Sequence, residues 1–173
     1  MTNHLFDPLF GCHATNDAPF LILEDQTLSY RAFSALSAQM ANAFTQLGVK
    51  KGDRIAVQTD KSAAALAIYA ACLRAGMVLL PLNTAYTTHE LAYFTADAEP
   101  ALVICDPEKS EAIKGILPPK TQVLTLDAQG QGTLTDLAAQ HSTDHTPVAC
   151  GPQDLAAILY TSGTTGRSKG AML

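Results

Sequence analysis

The chain has 173 residues, 47% of them apolar and 16% charged, which is enough for one sizeable core and far from the polar, highly charged composition of disordered chains. Its net charge of −5 comes from 11 Lys+Arg against 16 Asp+Glu, with no block of like charges. Nucleic-acid binding through a broad basic surface, which needs clustered cations, is excluded, and any bound phosphate has to be captured locally.

The N-terminal stretch MTNHLFDPLF lacks a cationic start followed by an apolar run, so it is not a secretory signal. Residues 20–28, FLILEDQTL, predict two short strands about an Asp-Gln turn. Ser29 then stands where its hydroxyl can accept from a free first-turn N–H, and Phe33, Leu36, Met40, Phe44 and Leu47 follow at spacings of three and four. Those residues share one face of a helix that Gly48 stops. Residues 54–58 predict a strand, residues 61–75 an alanine-rich helix ended by Gly76, and residues 77–82 a strand apolar enough to be covered on both faces. Arg74, Gly76 and Pro81 interrupt the apolar span 63–82, which therefore reads as a buried helix and strand; a membrane span needs about 20 mainly apolar residues.

Thr87 and Glu90 have the spacing of a capping box and open a helix through about residue 96, followed by a buried strand over 101–105. The alternation continues with a helix over 107–117, a strand over 121–126, a short helix over 133–140, a linker over 142–152 and a strand over 155–160. Strands alternating with helices define an α/β fold, a layered and largely parallel sheet with helices on both faces. Cys12, Cys72, Cys105 and Cys150 are scattered without a CxxC pair, and Cys72 and Cys105 fall in apolar runs as core residues. His141 and His145 have helical spacing, but the Ser, Thr, Asp and Pro around them read as loop, which argues against a metal pair.

The last predicted strand runs into YTSGTTGRSKG, residues 160–170. In an open α/β sheet ligands settle beyond the carboxyl ends of strands, and the segment leaves its strand at such an end. Gly163 and Gly166 permit backbone angles closed to other residues, so successive N–H groups can turn toward an anion. Thr161, Ser162, Thr164 and Thr165 add hydroxyl donors, and Arg167 and Lys169 add charge, a combination that suits a polyphosphate. The Walker A spacing fails from either glycine, falling on Ser168 or Ala171, and no GxGxxG fingerprint is present.

The order of these residues resembles the phosphate-binding loop of the adenylate-forming superfamily, which comprises acyl-CoA synthetases, luciferases and peptide-synthetase adenylation domains. Ser168 stands where the superfamily usually has proline. TLSYRAF, LGVKKGDRIAV, YAACLRAGMVLLPLN and ELAYFTADAEPALVI resemble N-terminal regions of the same superfamily in the same order, so the likeness covers nearly the whole chain. Within it, VLLPLNTAYTTHELAYF and TSGTTGRSKGAML look most like malonyl-CoA synthetases.

The resemblance implies an ATP-dependent acid–thiol ligase that works through an acyl-adenylate, with ATP, Mg²⁺ and coenzyme A as cofactors and co-substrates. It places Thr161, Ser162, Gly163, Thr164, Thr165, Gly166, Arg167, Ser168 and Lys169 around the β- and γ-phosphates. It also implies that residues 1–173 are the N-terminal portion of the large AMP-binding domain, inactive alone and prone to self-association, with the catalytic lysine and metal ligands downstream. A cytoplasmic location is expected from the absent signal, the unpaired cysteines and the need for ATP and coenzyme A. Another adenylate-forming enzyme, or a non-catalytic nucleotide-binding module, stays open as an alternative.

Overall fold

A computed structural model describes residues 2–24, 26–161 and 168–173. The first helix, α1 (Phe6–Leu9), is a single turn not foreseen from FDPL, and it buries Phe6. Strands β1 (Pro19–Ile22) and β2 (Thr27–Ser29) pair antiparallel as expected. Ser29 then caps α2 (Tyr30–Gln46), its Oγ accepting from the Ala32 N–H at 3.2 Å. Phe33, Met40 and Phe44 of α2 are buried, while Leu36 and Leu47 pack half-buried against the same core.

Strand β3 (Arg54–Gln58) leads to α3 (Ala63–Ala75), which begins two residues later than predicted because Ser62 accepts from the Ala65 N–H. Its alanines let it pack against α2. Gly76 ends it in the left-handed region at φ 68°. A Cβ there would lie 2.9 Å from Cys150 Sγ and 3.0 Å from Lys51 Cγ. Gly76→Ala combines that crowding with left-handed backbone strain, so urea denaturation is expected to show a loss of about 1–3 kcal/mol.

Strand β4 (Val78–Pro81) precedes α4 (Thr88–Ala98), whose capping box between Thr87 and Glu90 is formed. Strand β5 (Leu102–Cys105) is fully buried. The helix expected over 107–117 is shorter: a 3₁₀ turn, Pro107–Lys109, precedes α5 (Ser110–Lys114). Asp106 starts that turn by accepting from the Glu108 N–H at 2.8 Å. Strand β6 (Gln122–Thr125) and α6 (Thr133–Ala138) complete the alternation.

The central sheet is parallel, in the order β4-β3-β5-β6. The strand period of two divides its side chains between two cores. Ile55, Val57, Leu102 and Ile104 face α2, α3 and α6, whereas Ala56, Leu80, Val103 and Cys105 face α4 and α5. Both central strands, β3 and β5, are therefore covered on each side, which explains their nearly unbroken apolar sequences. No described helix is long and apolar enough to cross a membrane.

The linker expected over 142–152 has almost no regular structure but is fastened by side chains of α2, of α3 and of the turn before β3. Asn42 Nδ2 donates to the carbonyls of Ser142 and Asp144 at 2.9 and 3.0 Å, and Lys51 Nζ donates to that of Ala149 at 2.8 Å. Asn3 Nδ2 joins the chain's beginning to both, donating to the Leu73 and Val148 carbonyls at 2.7 and 2.8 Å.

Candidate functional site

The segment expected to continue the parallel sheet makes only a brief contact with it. Leu79 N–H donates to the Ala156 carbonyl at 3.0 Å, and Leu79 and Ala157 form a single parallel bridge. The chain then enters β7 (Ile158–Thr161), which pairs antiparallel with β8 (Lys169–Met172). The strand therefore pairs with the chain's own return, and residues 169–172, read from sequence as loop end and tail, are strand. Local reversal brings the two arms together without the long crossover that another parallel strand would need.

Thr161 stands opposite Lys169, and Tyr160 opposite Gly170. Thr161 and Lys169 are both exposed. The register thus places a hydroxyl side chain and an ammonium side chain at facing positions, on the two arms between which residues 162–168 run. Of the candidate residues, Ser162, Gly163, Thr164, Thr165, Gly166 and Arg167 lie outside the described residues. Thr161, Ser168 and Lys169 lie inside them and come together.

The hairpin sits on α4. Ile158 and Tyr160 pack against the core that contains Leu91, Phe94 and Ala98, and the Phe94 and Tyr160 rings are 4.5 Å apart. Gly170 gives the opposite strand no side chain here; a Cβ would approach Ile158 Cγ2 to 2.9 Å. Two hydrogen bonds reach from α4 to the two arms. The Tyr160 hydroxyl donates to Asp97 Oδ2, and the Tyr93 hydroxyl donates to the Ser168 carbonyl at 2.9 Å. Partial burial, and then the hydrogen bond to the Asp97 carboxylate, push the Tyr160 phenol well above its ordinary pKa, so it stays protonated and donating.

Tyr93 and Asp97 are functional candidates that the sequence reading missed. Their i, i+4 spacing, which puts them on one helix face, was visible in ELAYFTADAEP. Their partners, Ser168 and Tyr160, are 75 and 63 residues away, so no local pattern could reveal them.

Other chemistry-bearing groups have structural settings. Cys72 and Cys105 are buried, and burial raises both thiols, Cys105 to about 11, which keeps them protonated and unreactive. Among the described residues no group of three His, Cys, Asp or Glu side chains is placed to hold a metal ion.

A parallel sheet layered between helices, with this hairpin beside its β4 edge, is the architecture of the N-terminal domain of adenylate-forming enzymes. The chain belongs to the AMP-binding enzyme family, whose model matches residues 11–173. Apo MatB from Rhodopseudomonas palustris superposes with a TM-score of 0.94 at 47% identity, covering 100% of this chain and 35% of that one. ATP-bound MatB from the same organism superposes at 0.91 and 48% identity, with the same coverage. Among curated relatives, the long-chain-fatty-acid–CoA ligase FadD13 of Mycobacterium tuberculosis is 30% identical over 86% of this chain and 30% of its own length. Tyrocidine synthase 2 of Brevibacillus parabrevis is 31% identical over 88% of this chain and 4% of its own length. The chain thus spans about a third or less of the length of each of these relatives.

Proposed function

We propose that this chain is the N-terminal portion of the large domain of an AMP-forming acyl-CoA synthetase, and that residues 160–170 hold the β- and γ-phosphates of ATP. The observation that carries the reading is the facing pair Thr161 and Lys169 at the two ends of a glycine- and hydroxyl-rich segment. In the first half-reaction a substrate carboxylate oxygen attacks the α-phosphorus of ATP. The bond to the bridging oxygen breaks, and pyrophosphate leaves with its charge growing. Donors fixed in advance around the leaving group stabilise that growing charge without reorganising. Lys169 supplies the ammonium, Thr161, Ser162, Thr164 and Thr165 the hydroxyls, and Gly163 and Gly166 the backbone freedom that lets amides face the phosphates. In the second half-reaction the coenzyme A thiol attacks the acyl carbon and AMP departs.

Mg²⁺ would accompany ATP and neutralise phosphate charge. Its protein ligands are assigned to the part of the full-length protein that this chain does not span, since the chain covers 35% of MatB and 30% of FadD13. The residues for the adenine, the acid, coenzyme A and the catalytic lysine are assigned there as well. Malonate is the proposed acid, on the resemblance of residues 78–94 and 161–173 to malonyl-CoA synthetases. The 47% identity along the whole chain to MatB, a malonyl-CoA synthetase, against 30–31% for FadD13 and tyrocidine synthase 2, favours malonate over a long-chain fatty acid or an amino acid.

The test is acid-dependent pyrophosphate release from ATP, with malonate, a long-chain fatty acid and amino acids as parallel substrates. The full-length protein is expected to turn over with malonate, and the 173-residue chain with none. Turnover by the isolated chain would overturn its reading as an inactive portion, and preference for a fatty acid or amino acid would overturn malonate.

A further inference from the structure

We infer that Tyr93 and Asp97 are positioning residues for the phosphate-binding segment, clamping its two arms to one face of α4. The inference rests on the function proposed above and adds residues to it that lie far from the segment in sequence.

Helix α4 is rigidly placed. Its first turn is closed by the capping box of Thr87 and Glu90, and Leu91, Phe94 and Ala98 are buried against the sheet. Residues at i and i+4 lie above one another on a helix, so Tyr93 and Asp97 project together toward the hairpin. Each reaches a different arm: Asp97 accepts from the Tyr160 hydroxyl next to Thr161, and Tyr93 donates to the Ser168 carbonyl next to Lys169. The Tyr93 and Tyr160 rings meet edge to face, with centroids 6.4 Å apart, which ties the two contacts into one unit.

A two-strand ribbon alone is marginally stable in water, so the spacing of Thr161 and Lys169 depends on what the arms are fastened to. Fixing one arm would leave the other free to slide or splay. Fixing both to a single helix holds the hydroxyl and the ammonium at a set separation before a phosphate arrives. That kind of preorganisation, with supporting groups locking the contacting ones, governs how tightly a site takes up the phosphates of its ligand.

The experiment uses the full-length protein with Tyr93→Phe, which removes one hydroxyl and keeps the ring, and with Asp97→Ala and Asp97→Asn. Each of Tyr93→Phe and Asp97→Ala is expected to raise KM for ATP about five- to tenfold, the effect of losing one modest hydrogen bond. KM for the acid is expected to stay unchanged. Asp97→Asn, which still offers a carbonyl oxygen to Tyr160, is expected to recover most of the loss. A general folding defect would instead lower turnover for all substrates together. Amide hydrogen exchange on the same proteins reads the clamp without turnover. Faster exchange in residues 160–161 for Asp97→Ala and in 168–169 for Tyr93→Phe, with β3 and β5 unchanged, is the expected pattern. Unchanged exchange would overturn the clamp whatever the enzyme's activity; changed exchange with unchanged KM for ATP would overturn its link to phosphate binding.

Discussion

Lys169→Ala in the full-length protein is expected to lower ATP–pyrophosphate exchange by about a hundredfold or more, the range seen when a single donor to developing charge is removed. Lys169 is exposed at the first position of β8, so the substitution empties no core, and stability is expected to move by no more than about 0.5 kcal/mol. The effect should fall on chemistry more than on binding. Charge on the departing pyrophosphate is larger in the transition state than in bound ATP, so kcat drops further than KM for ATP rises. Lys169→Arg keeps the charge but replaces a compact ammonium with a planar fork, and partial recovery is expected. A loss of stability matching the loss of exchange would show that Lys169 props the hairpin instead.

The second large effect is on stability. Arg74 is only 5% exposed although it carries a charge. Its guanidinium donates from Nη2 to Ser34 Oγ at 2.7 Å and to the Ser34 carbonyl at 3.2 Å, and from Nη1 to the His145 carbonyl at 3.2 Å. It also lies 4.5 Å from the centre of the Phe6 ring. One side chain on α3 therefore joins α1, α2 and the segment around His145. Burial draws its pKa down to about 10, which leaves it cationic at neutral pH. Arg74→Ala removes these charge-assisted bonds, uncovers the Phe6 face and opens a void, so urea denaturation should show a loss of about 3 kcal/mol. Arg74→Lys retains charge and much of the stem but cannot reach Ser34 and His145 from one planar group, so it should recover only part. An unchanged unfolding midpoint for Arg74→Ala would mean that the three segments are held without it.

Much of the layered fold could be read because its determinants are local. Ser29, Thr87 and Glu90 fix helix starts within one turn of themselves, and Gly76 fixes a stop. Strands β3 and β5 are covered on both faces, so their composition alone identifies them. What stayed hidden depends on distant partners. Residues 169–172, KGAM, have no alternation and are exposed, and they become a strand only because Ile158–Thr161 lies beside them. The segment 142–152 reads as linker from its Ser, Thr, Asp and Pro, and nothing in that stretch reveals that side chains of α2 and α3 such as Asn42 and Arg74 bind its carbonyls. The candidate site divides the same way. Thr161 through Lys169 could be picked out from residue types and order, whereas Tyr93 and Asp97 act on the hairpin through tertiary contacts that their own stretch does not encode.

The most direct measurement is calorimetric titration of pyrophosphate and ATP into the full-length protein and its Thr164→Ala, Thr165→Ala, Lys169→Ala triple variant. Specific binding of both ligands to the wild type, and loss of pyrophosphate binding with weakened ATP binding in the variant, is the predicted outcome. Equal affinities in the two proteins would contradict the assignment of residues 160–170 to the phosphates.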